Sequence, residues 1–256
     1  MINIKEIIVK NPHNKNKYPY STPIFQKGFS LKINSPITII VGDNGIGKST
    51  LLEAIATKIG FSSFGGGASH VLLNSDIHKV IKNSYARGFY PKSGAELLDD
   101  DRTILENLDN VSLSENIDIK WTIKSNKGLF IRSETFANLI SLPRFNAEQL
   151  SHGEGILKIL EDISDNGIYI LDEPEAGLSP IKIIKLMGII KNKTEQFNSQ
   201  FIIASHNPIL MCLPNSNLYE LTENNICEII PEQSEHFILT KRILNNKDEF
   251  LNRYFK

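Results

Sequence analysis

The chain has 256 residues, enough for one large domain or two small ones, and its 41% hydrophobic and 22% charged residues are the composition of a soluble globular protein. Its 28 Lys and Arg against 29 Asp and Glu leave a formal net charge of -1, which excludes a global attraction to a polyanion, so any nucleic-acid contact has to be local. No run reaches the ~18 apolar residues of a membrane span, and the amino terminus MINIKEIIVKNPHN lacks the apolar core and cleavage site of a secretory signal, which points to a cytoplasmic location.

Residues 2–9, 29–33 and 37–41 read as strands around a polar, Pro-containing stretch at 11–23, a β-rich lobe reaching to about residue 41. The last of these runs leads directly into GDNGIGKST at 42–50, where Gly42, Gly47, Lys48 and Ser49 satisfy GxxxxGK[ST], and a helical run follows at 51–59. Strand, loop and helix are the context this phosphate-loop motif requires. Its glycines let successive backbone N–H groups turn inward on phosphate oxygens, the helix adds its positive end, Lys48 reaches the β and γ phosphates, and Ser49 ligates Mg²⁺. The expected ATP cradle is Gly42, Asp43, Asn44, Gly45, Ile46, Gly47, Lys48, Ser49 and Thr50. A plain glycine-rich turn is the alternative, and the three later motifs outweigh it.

Gly65, Gly66 and Gly67 mark a turn after the helix, and a weakly patterned stretch with the acidic run 99–101 follows, so residues 60–145 are expected to be variable and helical. Residues 118–124 and 129–132 flank Ser125, Asn126, Lys127 and Gly128, which predicts a hairpin. From 147 the pattern becomes a regular alternation: helix 152–164, strand 168–172, helix 180–197, strand 201–205. Parallel strands with crossover helices are the natural packing. Two short strands at 218–221 and 226–230 and helical patterns at 235–246 and 248–255 close the chain. One domain is expected, with a core from 37–60 and 147–210 and a carboxyl-terminal part at 215–256.

The apolar strand of IYILDEP (168–174) ends in two carboxylates at the edge of a parallel sheet where ligands bind. Asp172 is placed to hold Mg²⁺, and Glu173 to polarise the water that attacks the γ-phosphate. His206 follows the apolar run of IIASHNP (202–208), so it reaches the same edge and can bond the γ-phosphate and fix Glu173. In LSHGE (150–154), Ser151 caps a helix and forms a second anion site with the Gly153 N–H. An ordinary cap, with Glu154 as capping-box partner, is the plainer reading of that segment.

Here LSHGE resembles the LSGGQ signature of ATP-binding-cassette (ABC) ATPases, and the order of phosphate loop, signature, Asp–Glu strand and histidine matches that superfamily. LFIRSETF, PEAGLSP, QFIIASHNPIL and SEHFILTKRILNN are further similar to small AAA/ABC-type ATP-binding proteins of bacteria, in the SMC (structural maintenance of chromosomes)/RecF-like branch. The resemblance implies an α/β P-loop NTPase of ABC type: a mostly parallel core sheet with helices on both faces, plus an amino-terminal antiparallel β lobe. It also implies Mg-dependent ATP hydrolysis by a homodimer with two ATP molecules between subunits, Ser151 and Gly153 of one covering the loop of the other. Glu134 is the residue best placed for a Mg²⁺-sensing role, where transporter ATPases carry Gln. A separate nuclease or toxin effector and nucleic acid are the partners this branch suggests. The nucleotide-binding subunit of a membrane transporter is the competing reading, against which stand His152 and Glu154 in the signature and Ser179–Pro180 after Leu178.

Other residues carry weaker signals. Tyr18 and Tyr20 can stack on adenine, although packing is the simpler role, and Lys10, Lys15, Lys17, Lys27 and Lys32 make a basic lobe that reads first as a solvated face. Cys212 and Cys227, without metal-ligand spacing, read as buried thiols of a reducing compartment. His13, His70, His78 and His236 have no mutual spacing that suggests a metal site.

Overall fold

The computed structural model describes residues 2–12, 15, 16, 18–61, 113–133, 152–163 and 166–255. A three-stranded antiparallel sheet has the order β2 (Phe29–Lys32), β1 (Ile4–Val9), β4 (Ile117–Trp121). A six-stranded sheet has the order β5 (Gly128–Arg132), β6 (Ile168–Asp172), β7 (Gln200–Ala204), β3 (Ile37–Val41), β8 (Ser216–Leu221), β9 (Ile226–Ile229), and every pairing in it is parallel except β8 with β9.

The central strands read ITIIV, IYILD and QFIIA and are buried along their whole length, as strands of a sheet covered on both faces must be. Ile40, Ile170, Ile202 and Ala204 share one core cluster with Leu51, Leu52 and Ile55 of α1 (Lys48–Ile59) and with Ile4, Ile7 and Leu31 of the small sheet. Ile39, Val41, Leu171 and Ile203 belong to a second cluster with α2 (His152–Asp162), α3 (Pro180–Phe197) and α4 (Pro208–Met211). This is the expected α/β architecture, with helices on both faces and an antiparallel lobe laid over one of them. Local chemistry delimits α3: the Ser179 side chain accepts from the Lys182 N–H at 3.4 Å, Pro180 opens the first turn, and Asn198 closes the helix at φ 55°. Helices α5 (Glu235–Asn245) and α6 (Lys247–Tyr254) end the chain.

Two sequence expectations are corrected. The hairpin across 125–128 does not form: β4 pairs with β1, and β5 pairs in parallel with β6 in the other sheet. Leu129, Phe130 and Ile131 are all buried, which a half-solvated hairpin strand cannot offer but a strand of a doubly covered sheet demands. Cys212, just beyond α4, and Cys227 of β9 are free but exposed. The three glycines at 65–67, the acidic run 99–101 and the residues His13, Lys17, His70 and His78 lie outside the described residues. Lys10, Lys15, Lys27 and Lys32 are exposed, and Lys10 pairs with Asp118 at 2.7 Å. Among the described residues no helix is long and apolar enough to cross a membrane.

Two polar links tie the sheets together. The fully buried Gln200 side chain accepts from the Asn3 and Ile4 N–H groups at 2.9 and 2.8 Å and donates to the Ile4 carbonyl at 3.0 Å. Tyr219 donates to the Lys32 carbonyl at 2.6 Å, and burial, with Glu228 nearby, pushes its hydroxyl pKa up to about 12. Gln200→Leu keeps the volume but strands three buried backbone groups at about 1 to 3 kcal/mol each. The expected loss is at least ~3 kcal/mol, or roughly 6 to 12 °C in melting temperature, and an unchanged melt would show that this link does not hold the lobe.

Candidate nucleotide site

The loop between β3 and α1 turns on glycine. Gly47 sits at φ 109°, and a Cβ there would lie 2.8 Å from the Phe25 ring, so both backbone and space require glycine. Lys48, only 5% exposed, sends Nζ back to the carbonyls of Gly42 and Asp43 at 2.8 and 2.9 Å. Burial pushes its ammonium down in pKa, against the pull of the Glu173, Asp172, Asp43 and Glu175 carboxylates. Asn44, Gly45 and Ile46 complete the loop, and the Ile46 N–H bonds the Asp43 carbonyl at 3.4 Å.

Ser49, one residue on, donates Oγ–H to Asp172 Oδ1 at 3.0 Å. A hydroxyl and a buried carboxylate side by side form a pair of hard oxygen donors suited to Mg²⁺, which takes few protein ligands and keeps water or phosphate for the rest. Among the described residues no group of three or more His, Cys, Asp and Glu forms a metal cage. Arg132 at the end of β5 brings Nε within 3.8 Å of Asp172 Oδ2 and donates to Glu53 of α1 at 2.9 Å. The sequence reading missed this residue, although it lies in the quoted block LFIRSETF.

Glu173 stands at φ 51°, a conformation that Asn tolerates but Glu adopts at a cost. It is held there by its N–H on the Ala204 carbonyl at 3.0 Å and by Ser133, whose hydroxyl donates to the Asp172 and Glu173 carbonyls at 3.0 and 2.5 Å. Its carboxylate Oε1 is 3.1 Å from His206 Nε2, close but not aligned as a hydrogen bond, and that nitrogen is buried with no hydrogen-bond partner among the described residues. Burial, with help from the Lys48 ammonium, holds His206 below its ordinary pKa, and Glu173 opposes this. The imidazole is therefore neutral at pH 7.

Glu175 was quoted in PEAGLSP without a role. Its Oε1 accepts from Ser205 Oγ at 2.5 Å and from the His206 N–H at 3.1 Å, so one carboxylate sets where the histidine leaves β7. Only its position two residues after Glu173 could have flagged it. On the opposite side, Gly153 in the first turn of α2 approaches so closely that a Cβ would lie 2.5 Å from Leu178 Cδ2, and Glu154 pairs with Lys182 at 3.0 Å. Ser151 and Glu134 lie outside the described residues. Tyr20 is buried and accepts from Asn116, which is the packing role, whereas exposed Tyr18 places its hydroxyl 2.7 Å from Thr50 Oγ1 beside the loop. The loop, Asp172, Glu173 and His206 thus share one sheet edge.

Burial raises the Glu175 carboxyl above its ordinary value of 4.5. The folded chain then holds that proton more tightly than the unfolded one, so its stabilising contribution is complete below about pH 4.5 and is lost as pH rises through the folded value. Glu175→Gln keeps the acceptor for Ser205 and His206 but cannot ionise. Its melting temperature should gain on the wild type as pH rises from 4.5 to 7. Parallel melting curves across that range would contradict the buried, raised carboxyl.

Comparison with known proteins gives the chain its family. Residues 23–228 match the RecF/RecN/SMC N terminal domain family. An uncharacterised ABC transporter ATP-binding protein of Methanocaldococcus jannaschii is 26% identical over 211 residues, 79% of this chain and 37% of that protein. A Clostridium perfringens protein named as an ABC transporter ATP-binding protein is 22% identical over 217 residues, 78% of this chain and 70% of that one. The chain thus spans little more than a third of the first relative. The SMC head domain from Thermotoga maritima is 13% identical with a TM-score of 0.46, covering 89% of this chain and 99% of that one. With residues 23–228 matching its model, the chain belongs to the RecF/RecN/SMC N terminal domain family and is related to ABC-type P-loop ATP-binding proteins.

Proposed function

We propose that the chain hydrolyses Mg-ATP as a homodimer that closes over two nucleotides and opens after hydrolysis. The observation that carries this reading is Glu173, held at φ 51° with its carboxylate 3.1 Å from His206 and one residue from the Ser49–Asp172 pair. A carboxylate placed there is within reach of a water attacking the γ-phosphate, and backbone strain of this kind clusters at active sites. In this reading the loop N–H groups and Lys48 bind the phosphates, Ser49 and Asp172, with Glu134 as a further candidate, hold Mg²⁺, and Tyr18 stacks on adenine. Bound Mg²⁺ supplies neutralisation of the phosphate charge. Glu173 takes the proton of the water, and neutral His206 donates to the γ-phosphate and keeps Glu173 aimed. Ser151 and Gly153 of the second subunit cover the phosphate from across the interface.

The proposed setting is cytoplasmic, beside nucleic acid or a separate nuclease or toxin effector, and its support is membership of the family that contains RecF, RecN and SMC. The second reading, the nucleotide-binding subunit of a membrane transporter, draws on the names of the Methanocaldococcus and Clostridium relatives. A gene for a multi-span membrane protein beside this one, or co-purification with such a protein, would favour the transporter.

Glu173→Gln should retain ATP binding and reduce turnover by about 10² to 10⁴, so that the variant accumulates as an ATP-bound dimer by size-exclusion chromatography. Wild-type turnover in Glu173→Gln would remove Glu173 from the chemistry. The composite site has a separate test. Ser151→Arg should bind ATP as a monomer yet fail to hydrolyse it, and mixing it with Lys48→Ala should restore part of the activity, because a mixed dimer has one site free of both defects. Normal hydrolysis by monomeric Ser151→Arg would refute the dimer.

A further inference from the structure

Helix α5 begins beyond residues 23–228, the span of the family match, yet it brings a side chain to the phosphate site. Ser234, fully buried, seats its first turn, and Phe237 packs on the core cluster that contains α3 and α4. Between these two residues stands His236. Its ring centroid is 5.5 Å from that of His206 at an interplanar angle of 68°, an edge-to-face contact in which the positive edge of one ring meets the π face of the other. Its Nε2 lies 3.8 Å from Oδ1 of Asp43 in the phosphate loop. That nitrogen, like Nε2 of His206, is buried and has no hydrogen-bond partner among the described residues. Buried polar atoms without partners are costly, and two imidazoles in that condition beside Lys48 and the loop point to a shared purpose there.

We propose that His236 is a positioning residue of the phosphate site: it braces the His206 ring edge-on and links α5 to the loop at Asp43. His206 is then fixed by three contacts, with its backbone N–H on Glu175, its Nε2 near Glu173 and its ring against His236. Without the third, the ring is free to rotate about its χ angles, and its alignment on a terminal phosphate degrades. The inference rests on the ATP-site reading, and only its rate measurement also requires hydrolysis.

The test compares His236→Ala and His236→Phe in the full chain, since Phe keeps an aromatic edge against the His206 ring. Misalignment should cost His236→Ala about tenfold in kcat while KM for ATP stays within about threefold. The preference for ATP over ADP, measured as the ratio of their Kd values, should fall by about fivefold, because only ATP presents a γ-phosphate to His206. His236→Phe should recover most of both losses. Wild-type kcat and preference in His236→Ala would overturn the proposal, as would equal losses in Ala and Phe that track a lowered melting temperature. Should the wild type bind ATP without hydrolysing it, the hydrolysis reading fails and the Kd ratio decides the role of His236 by itself. Should it prefer neither nucleotide, both readings fall.

Discussion

Parallel pairing of β6, β7 and β3 is the constraint on which everything at the site depends. In the register of these strands Asp172 is level with Ala204, and Ala204 with Ile40, so three chain segments leave the sheet at one height. The ladder even runs one step beyond the strands, with the Glu173 N–H on Ala204 and the Ser205 N–H on Ile40, at 3.0 and 3.1 Å. Glu173, Ser205–His206 and the phosphate loop therefore emerge together, although Lys48 and Asp172 are more than a hundred residues apart. Because side chains alternate with period two, a slip of one residue in any pair would turn Asp172 and the core isoleucines to the wrong faces. The burial of these strands on both sides makes such a slip prohibitive.

That edge concentrates ionisable groups which a core would reject singly. Lys48, Asp172 and Glu175 are all largely buried, and each has hydrogen-bonding or charged partners: Lys48 donates to loop carbonyls, Asp172 has Ser49 and Arg132, and Oε1 of Glu175 accepts from Ser205 and the His206 N–H. These partners offset much of the cost of burial and make the arrangement specific, although Oε2 of Glu175 stays without a hydrogen-bond partner among the described residues. The same burial lowers Lys48 and His206 and raises Glu175 at this edge. Electrostatic interactions are stronger there than in solvent.

Stability and site are connected through the small sheet. Its strand β1 is anchored by Gln200, the first residue of β7, and its strand β2 by Tyr219 of β8, both in the sheet that carries the chemistry. Phe25, from the turn before β2, fills the space beside Gly47. The amino-terminal lobe thus presses on the phosphate loop from one side while α5 approaches it from another through His236.

The phosphate loop, the Asp–Glu strand, the helix bounded by Ser179 and Asn198, and the overall α/β class were legible in the residues because each rests on local rules. Glycine at a positive φ, an apolar run ending in acids, a hydroxyl cap before Pro180 and apolar periodicity all act within a few positions of the chain. The partner of β5, the order of the strands, the exposure of Cys212 and Cys227, and the roles of Arg132, Glu175 and His236 were not legible. They depend on pairings between segments tens to nearly two hundred residues apart, for which the free energy lies in shared burial. The turn-like residues 125–128 show the difference: locally they favour a hairpin worth little in water, but three buried side chains on β5 gain more beside β6, and tertiary packing overrides the turn.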